Sequence, residues 1–403
     1  MAVHEPQDIA QRISGCPVRN DYDYWVSGRV PQAGFHEFDA IAAEVSPIFR
    51  SPRAQGYYVL TDYHAILEGL QNVELFSASA TIPTEPDPLF TLIPLQLDEP
   101  EHAKWRKVLS KYFTPRRAEL LSDDIRKRAV ELIEAFAGRG QCDFVTDFAQ
   151  LYPTSIFLAI LGLPTDRLPQ FLGWADAMLH GRGNAEVAAG ELASYFNELL
   201  DHRAALSARP DDLISDSLTW EIDGVAAPRE AVLNCLSMLF LAGLDTVASE
   251  LTYAFYHLAS HETHRKVLVE EPELVGNAVE ELLRAFPIPT LARKAKSAGQ
   301  IGGCPIGPGD MVAFPLTAAG RDPEVFTEPQ QVDFRRSDVR HLTFGAGRHR
   351  CLGAHLARRE MQIVLEEWHR RIPDYELDTS QPEPREHSGG VYGLDSLPLR
   401  WRV

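Results

Sequence analysis

Apolar and polar residues follow two different rhythms along this chain. Residues 46–62, SPIFRSPRAQGYYVLTD, hold two short apolar runs around a Pro/Gly turn, which predicts a β-hairpin. Residues 82–94, IPTEPDPLFTLIP, are rich in Pro and apolar residues and predict a long ordered loop of the kind that often carries function. From 100 to roughly 290 the apolar positions recur mostly at helical spacing, and the longest predicted helix runs from about Pro228 to His261. Residues 299–315, GQIGGCPIGPGDMVAFP, return to strand-and-turn chemistry. A last helix is expected just after Cys351, where Gly353, Ala357, Met361, Val364, Leu365 and Trp368 form one stripe. The tail from 373 is strand-like again. The pattern therefore predicts a mainly α chain with a smaller β part built from both ends. With no repeat and no linker, residues 1–403 read as a single domain, with 1–20 expected to be loosely ordered.

Composition narrows the class. A hydrophobic content of 45% suits a sizeable core. No apolar run approaches the roughly 20 residues of a membrane helix, and the N-terminus lacks an export pattern, so a cytoplasmic location is expected. The five cysteines, Cys16, Cys142, Cys235, Cys304 and Cys351, are scattered and odd in number. They read as reduced thiols rather than a disulfide framework, and no CxxC pair points to zinc or an iron–sulfur cluster. A net charge of −18 argues against general affinity for nucleic acid and gives any local basic patch more weight.

The strongest chemical signal is FGAGRHRCLG, Phe344 to Gly353. Glycines let backbone bend tightly and approach a flat cofactor. Cys351 follows where a helix begins, so N–H groups and the helix dipole favour its thiolate. A thiolate bound axially to haem iron pushes electron density onto it. Three further segments stand out. Glu281-Leu-Leu-Arg284 places an acid and a base on one helix face. Within LAGLDTV, Gly243 and the pair Asp245-Thr246 interrupt an apolar run midway along the longest helix. In LDEPEHAKWRKVLSKYF, His102 and Arg106 share one helix face while Lys104, Lys107 and Lys111 share a nearly opposite one.

Taken in order, these segments resemble the cytochrome P-450 superfamily, specifically its soluble bacterial members, over nearly the whole chain. The resemblance implies a helical prism with haem b held between the long central helix and the cysteine-loop helix. It implies Cys351 as the axial iron ligand, with Phe344, Gly345 and Gly353 shaping the loop against the cofactor. His102, Arg106, Arg293 and His349 match the family's propionate contacts, and Glu281, Arg284 and Arg336 its buried structural triad. Asp245 and Thr246 match the oxygen-activation motif, in which an acid and an alcohol deliver protons beside a groove opened by a small residue. The implied substrate pocket comprises Phe90, Leu92, Leu95, Met238, Leu241, Gly243, Pro289 and Val391. Lys104, Lys107 and Lys111, with Arg348 and Arg350, form the face expected to meet a [2Fe–2S] ferredoxin.

LAGLDTV and EHSGGVYGLDSLPLRW most resemble the camphor-hydroxylase group. Phe90 departs from it, standing where that group carries a tyrosine hydroxyl, which disfavours camphor itself. Arg350 also departs, because an apolar residue often precedes the ligand. The expected activity is insertion of one oxygen atom from O2 into a C–H bond of a small apolar, terpenoid- or norisoprenoid-like molecule by a monomeric enzyme. A peroxide-driven hydroxylase and a haem sensor without turnover are the other readings, and the Asp245-Thr246 pair argues against both.

Overall fold

The expected hairpin pairs β1 (Ile48–Ser51) antiparallel with β2 (Tyr57–Leu60), Ile48 opposite Leu60. In this computed structural model, which describes residues 15–403 except 89 and 181, the hairpin begins a five-stranded sheet. A short strand, β3 (Phe76–Ser77), forms its far edge. Two of the three interior strands come from the later part of the chain: β4 (Thr290–Ala295) and β5 (Met311–Pro315). The spatial order is β1-β2-β5-β4-β3, with β5 parallel to β2 and antiparallel to β4. Every residue of β2 and β5 is buried, which is why both read as continuous apolar runs rather than alternating ones.

Of the terminus expected to be loose, residues 1–14 lie outside the described residues. Residues 15–20 correct that expectation. Val18 bridges Arg50, the Arg19 N–H donates to the Arg50 carbonyl at 3.0 Å, and Cys16 is disulfide-bonded to Cys304. Two of the scattered cysteines thus form a bonded pair, while Cys142 and Cys235 are buried thiols.

The helices that position the site are α1 (Glu101–Leu109), α2 (Ser122–Ala137), α3 (Tyr152–Leu161), α4 (Leu168–Leu179), α5 (Arg229–Leu244), α6 (Thr246–Ser260), α7 (Val275–Ala285) and α8 (Ala354–Arg371). The single helix expected from Pro228 to His261 is in fact two, α5 and α6, broken at Asp245. A side chain intrudes there: the Thr154 hydroxyl of α3 donates to the Leu244 carbonyl at 3.2 Å. Arg229–Ser260 together are long and apolar enough to cross a membrane by length and composition, although polar residues interrupt the apolar run. Here those apolar residues are covered by protein, with Leu236, Phe240, Leu251 and Phe255 all fully buried. Helix α8 docks through Trp368, whose indole is surrounded by Phe136 of α2, Phe255 of α6, Phe144 and Phe148, with centroids 4.9 to 5.8 Å away.

Beneath the cysteine loop, α7 carries a closed ionic network. Glu281 accepts two bonds from Arg284 at 2.8 and 2.9 Å, one from Arg336 Nε to each of its oxygens at 3.1 Å, and one from the Asp333 N–H at 2.9 Å. Arg284 donates onward to the carbonyls of Gly320, Pro329 and Gln331. Glu281 and Arg284 are fully buried, so each charge depends on these partners. Glu281→Gln leaves two guanidinium groups without their shared anion and should destabilise the protein by about 3–5 kcal/mol. Urea unfolding checks this; an unchanged midpoint would remove the network from the account of stability.

Candidate functional site

Residues 344–353 turn on Gly345 and Gly347, both at φ 68°. A Cβ on Gly347 would stand 3.0 Å from the Leu70 carbonyl oxygen, so the turn excludes L side chains twice, by angle and by space. The turn lets the Cys351 N–H donate to the Phe344 carbonyl at 2.8 Å and leaves the cysteine three residues before α8. The Arg358 guanidinium lies 4.4 Å over the Phe344 ring and clamps the loop to that helix.

Cys351 is exposed by area, yet desolvation is the largest influence on its thiol and raises its pKa. The Gly353 N–H and the charges of Arg106, Arg350 and Arg358 pull in the opposite direction. Both observations hold at once when the sulfur faces an enclosed hollow rather than the outer surface. The break between α5 and α6 has the same character. Ala242 is exposed and Thr246 half-buried, although Leu241 and Leu244 beside them are buried. The Thr246 hydroxyl donates to the Ala242 carbonyl at 3.1 Å.

A cluster of cationic groups adjoins the sulfur. The rings of His102 and His349 stack at 3.9 Å. Burial pushes His349 down to about 3, with the charges of Arg293, His102 and Arg106 adding to the effect. Burial likewise lowers Arg293 to about 10, opposed by the charge of Asp98, and its guanidinium donates to the Ala292 carbonyl at 2.7 Å. Burial lowers Arg106 as well, while the Cys351 charge raises it. Glu99 reaches only His102 in this group, at 3.3 Å. The four sequence-predicted propionate contacts are therefore brought together, and among the described residues Arg106 and Arg293 have no carboxylate ion pair. A flat ligand with carboxylates at one edge and a metal cation at its centre supplies both missing charges: anions for the cluster and a cation that favours the thiolate. Haem b has that charge pattern.

Comparison with known proteins agrees. The cytochrome P450 family model matches residues 186–392. A probable cytochrome P450 127A1 from Sinorhizobium fredii is 35% identical over 363 residues, 88% of this chain and 87% of that protein. A steroid C26-monooxygenase from Mycolicibacterium smegmatis is 30% identical, covering 88% and 89%. The crystal structure of CYP101C1 superposes with a TM-score of 0.87 at 28% identity over the full length of both chains, and that of CYP101J2 with 0.87 at 28% over 96% and 97%. The chain belongs to the cytochrome P450 family. It is a monooxygenase, and its cofactor is haem b.

Around this P450 site the remaining sequence-predicted residues fall into three groups. Some converge. Pro289 and Val391, far apart in sequence, form an antiparallel bridge, and Leu291 lies against Gly345 of the cysteine loop. Met238 and Leu241 are buried, and Leu92 and Leu95 pack on the core. Others do not join them. Phe90 is 41% exposed and is not among the residues packed against the core. A Cβ on Gly243 would meet the Phe157 ring at 2.3 Å, so this glycine serves the close packing of α5 on α3. That direction differs from the pocket wall expected for Gly243, and the neighbouring Ala242 is exposed by area. The expected partner face is the third group. Lys104 is paired with Glu101 and Asp223, Lys111 lies 3.6 Å from Asp216, and Arg348 lies 3.3 Å from Glu99. Lys107 and Arg350 are exposed and form no ion pair among the described residues.

The sequence reading missed Thr154 and Ala242. Neither carries a motif of its own; a run of small residues before the Asp-Thr pair was the one available signal. Cys351→Ala removes the thiolate and should abolish the strongly red-shifted Soret band of the reduced protein under carbon monoxide. Retention of that band in the variant would sink the ligand assignment.

Proposed function

We propose that this P450 hydroxylates a small apolar molecule of terpenoid or norisoprenoid type, drawing electrons from a [2Fe–2S] ferredoxin. One observation carries the substrate class: the candidate wall of Leu92, Leu95, Met238, Leu241, Pro289 and Val391 has no charged side chain. Burying an ionised group there without a partner costs several kcal/mol, whereas apolar area contributes about 25 cal/mol per Å2. The full-length likeness to CYP101 structures supports a compact substrate. The steroid substrate belongs to the name of one relative, not to this chain.

Bound in the hollow, the haem supplies oxygen activation and oxidation of the substrate C–H bond. The protein's contribution is position and protons. Cys351 would hold the iron, while Arg106, Arg293, His102 and His349 would meet the carboxylates by charge-assisted bonds. Thr246 can donate and accept at once through its hydroxyl, and Asp245 beside it is the acid that recharges it. Electrons enter from outside. Lys107 and Arg350 are the cations of the expected docking face without an acidic neighbour, and on a chain of net charge −18 such a patch steers an acidic partner.

Two outcomes are expected. In spectral titrations a neutral cyclic terpenoid ketone should bind at least about 30-fold more tightly than a carboxylate of the same shape, equivalent to about 2 kcal/mol. Equal affinities would contradict an apolar wall. Reversing Lys107 and Arg350 to Glu should slow reduction by a bacterial [2Fe–2S] ferredoxin about tenfold at low salt, with a smaller effect at high salt. Unchanged stopped-flow rates at low salt would place the docking face elsewhere.

A further inference from the structure

We propose that His180 holds and reprotonates Asp245, making it the positioning residue through which solvent protons reach the relay. The proposal rests on the reading of Asp245 and Thr246 as the proton-delivery pair. His180 caps the C-terminus of α4, and its Nε2 lies 3.2 Å from Asp245 Oδ1. Their side chains are 14% and 19% exposed, so the attraction is screened far less than in a surface pair. The second oxygen, Asp245 Oδ2, is buried and has no hydrogen-bond partner among the described residues. One carboxylate oxygen is thus fixed by the histidine and the other is left open to pass a proton on.

The groups facing His180 come from three places. Asp245 comes from the helix break, Asp176 and Arg182 flank His180 on its own segment, and His387 comes from the C-terminal strands with its ring 4.7 Å away. His387 in turn contacts Asp395 at 3.1 Å, and Asp395 pairs with Arg182. Burial works against a charge on His180, but the hydrogen bond and charge of Asp245, then the charge of Asp176, outweigh it and raise its pKa; Arg182 opposes. Burial and the His180 charge push His387 the other way. The pair therefore carries its proton on His180.

In the step, His180 gives its Nε2 proton to the Asp245 carboxylate, which passes one proton on toward Thr246. The neutral imidazole, still carrying its Nδ1 proton, then regains one from solvent at Nε2. One proton enters for each one delivered, and no electrons move. A lysine or arginine here would hold Asp245 equally well, but its proton is bound too tightly to be released near neutral pH. The histidine makes delivery pH-dependent: fully charged below its raised pKa, and failing as pH rises through it.

Two measurements on the holoenzyme test this. In the reduced, carbon monoxide-bound protein with 13C-labelled histidine, the ring signal absent from His180→Gln should titrate above the ordinary histidine range. Asp245→Asn should shift that titration downward. In turnover with a surrogate ferredoxin and its reductase, nicotinamide oxidation should fall as pH rises along the same titration. His180→Gln should lower the rate at pH 7 about tenfold, and both it and His180→Lys should abolish the pH limb. A limb that persists in His180→Gln, or a His180 titration indifferent to Asp245→Asn, overturns the proposal. Where Asp245→Asn slows turnover and His180→Gln does not, the relay stands and the assignment of His180 falls; where Asp245→Asn itself has no effect, the relay reading falls first.

Discussion

Arg106, Arg293, His102 and His349 converge beside Cys351, and the two guanidinium charges make a positive charge on either histidine harder to hold. Burial adds to that cost. A thiol faces the same enclosed space with its pKa raised by desolvation. Neither arrangement is comfortable in the protein by itself. A dianionic, metal-bearing ligand resolves both, because its carboxylates meet the cations and its metal stabilises the thiolate. The rest of the fold can be understood as holding these two halves in register. The loop glycines and α8 present the sulfur, the Glu281–Arg284–Arg336 network lies beneath the loop, and α1 and β4 carry the cations.

The second constraint is the break at Asp245. A continuous helix would use every carbonyl in its own ladder. Here the Leu244 carbonyl is met by Thr154 and the Ala242 carbonyl accepts from Thr246, so polar groups sit open inside an otherwise apolar element. The same break turns Asp245 toward His180. Packing and chemistry are joined at this point, since Gly243 lets α5 approach Phe157 closely while the adjacent Ala242 stays exposed.

What the sequence made legible was local. The cysteine loop, the Glu281–Arg284 pair at i,i+3 and the His102/Arg106 face each declare their geometry within a few residues. Helix and strand rhythm placed the hairpin, the helical body and α8. What escaped was long-range. Cys16 meets Cys304 across 288 residues, and nothing near either cysteine marks the other. Thr154 reaches Leu244 across 90 residues, and nothing near Thr154 marks it. Gly243 was assigned to the pocket because its smallness was legible, while the direction of its missing side chain was not. The lysine stripe was legible as charge, but the acids that neutralise Lys104 and Lys111 come from separate segments.

The central claim is electrostatic, so it can be tested by removing charge from the ligand rather than from the protein. Apoprotein titrated with iron protoporphyrin IX and with its dimethyl ester compares a ligand bearing both carboxylates with one of nearly the same shape bearing none. With Arg106 and Arg293 lacking a carboxylate ion pair among the described residues, the diacid should bind at one equivalent and at least about 100-fold more tightly than the ester, the worth of about two charge-assisted bonds. Equal affinity for the two would contradict the account.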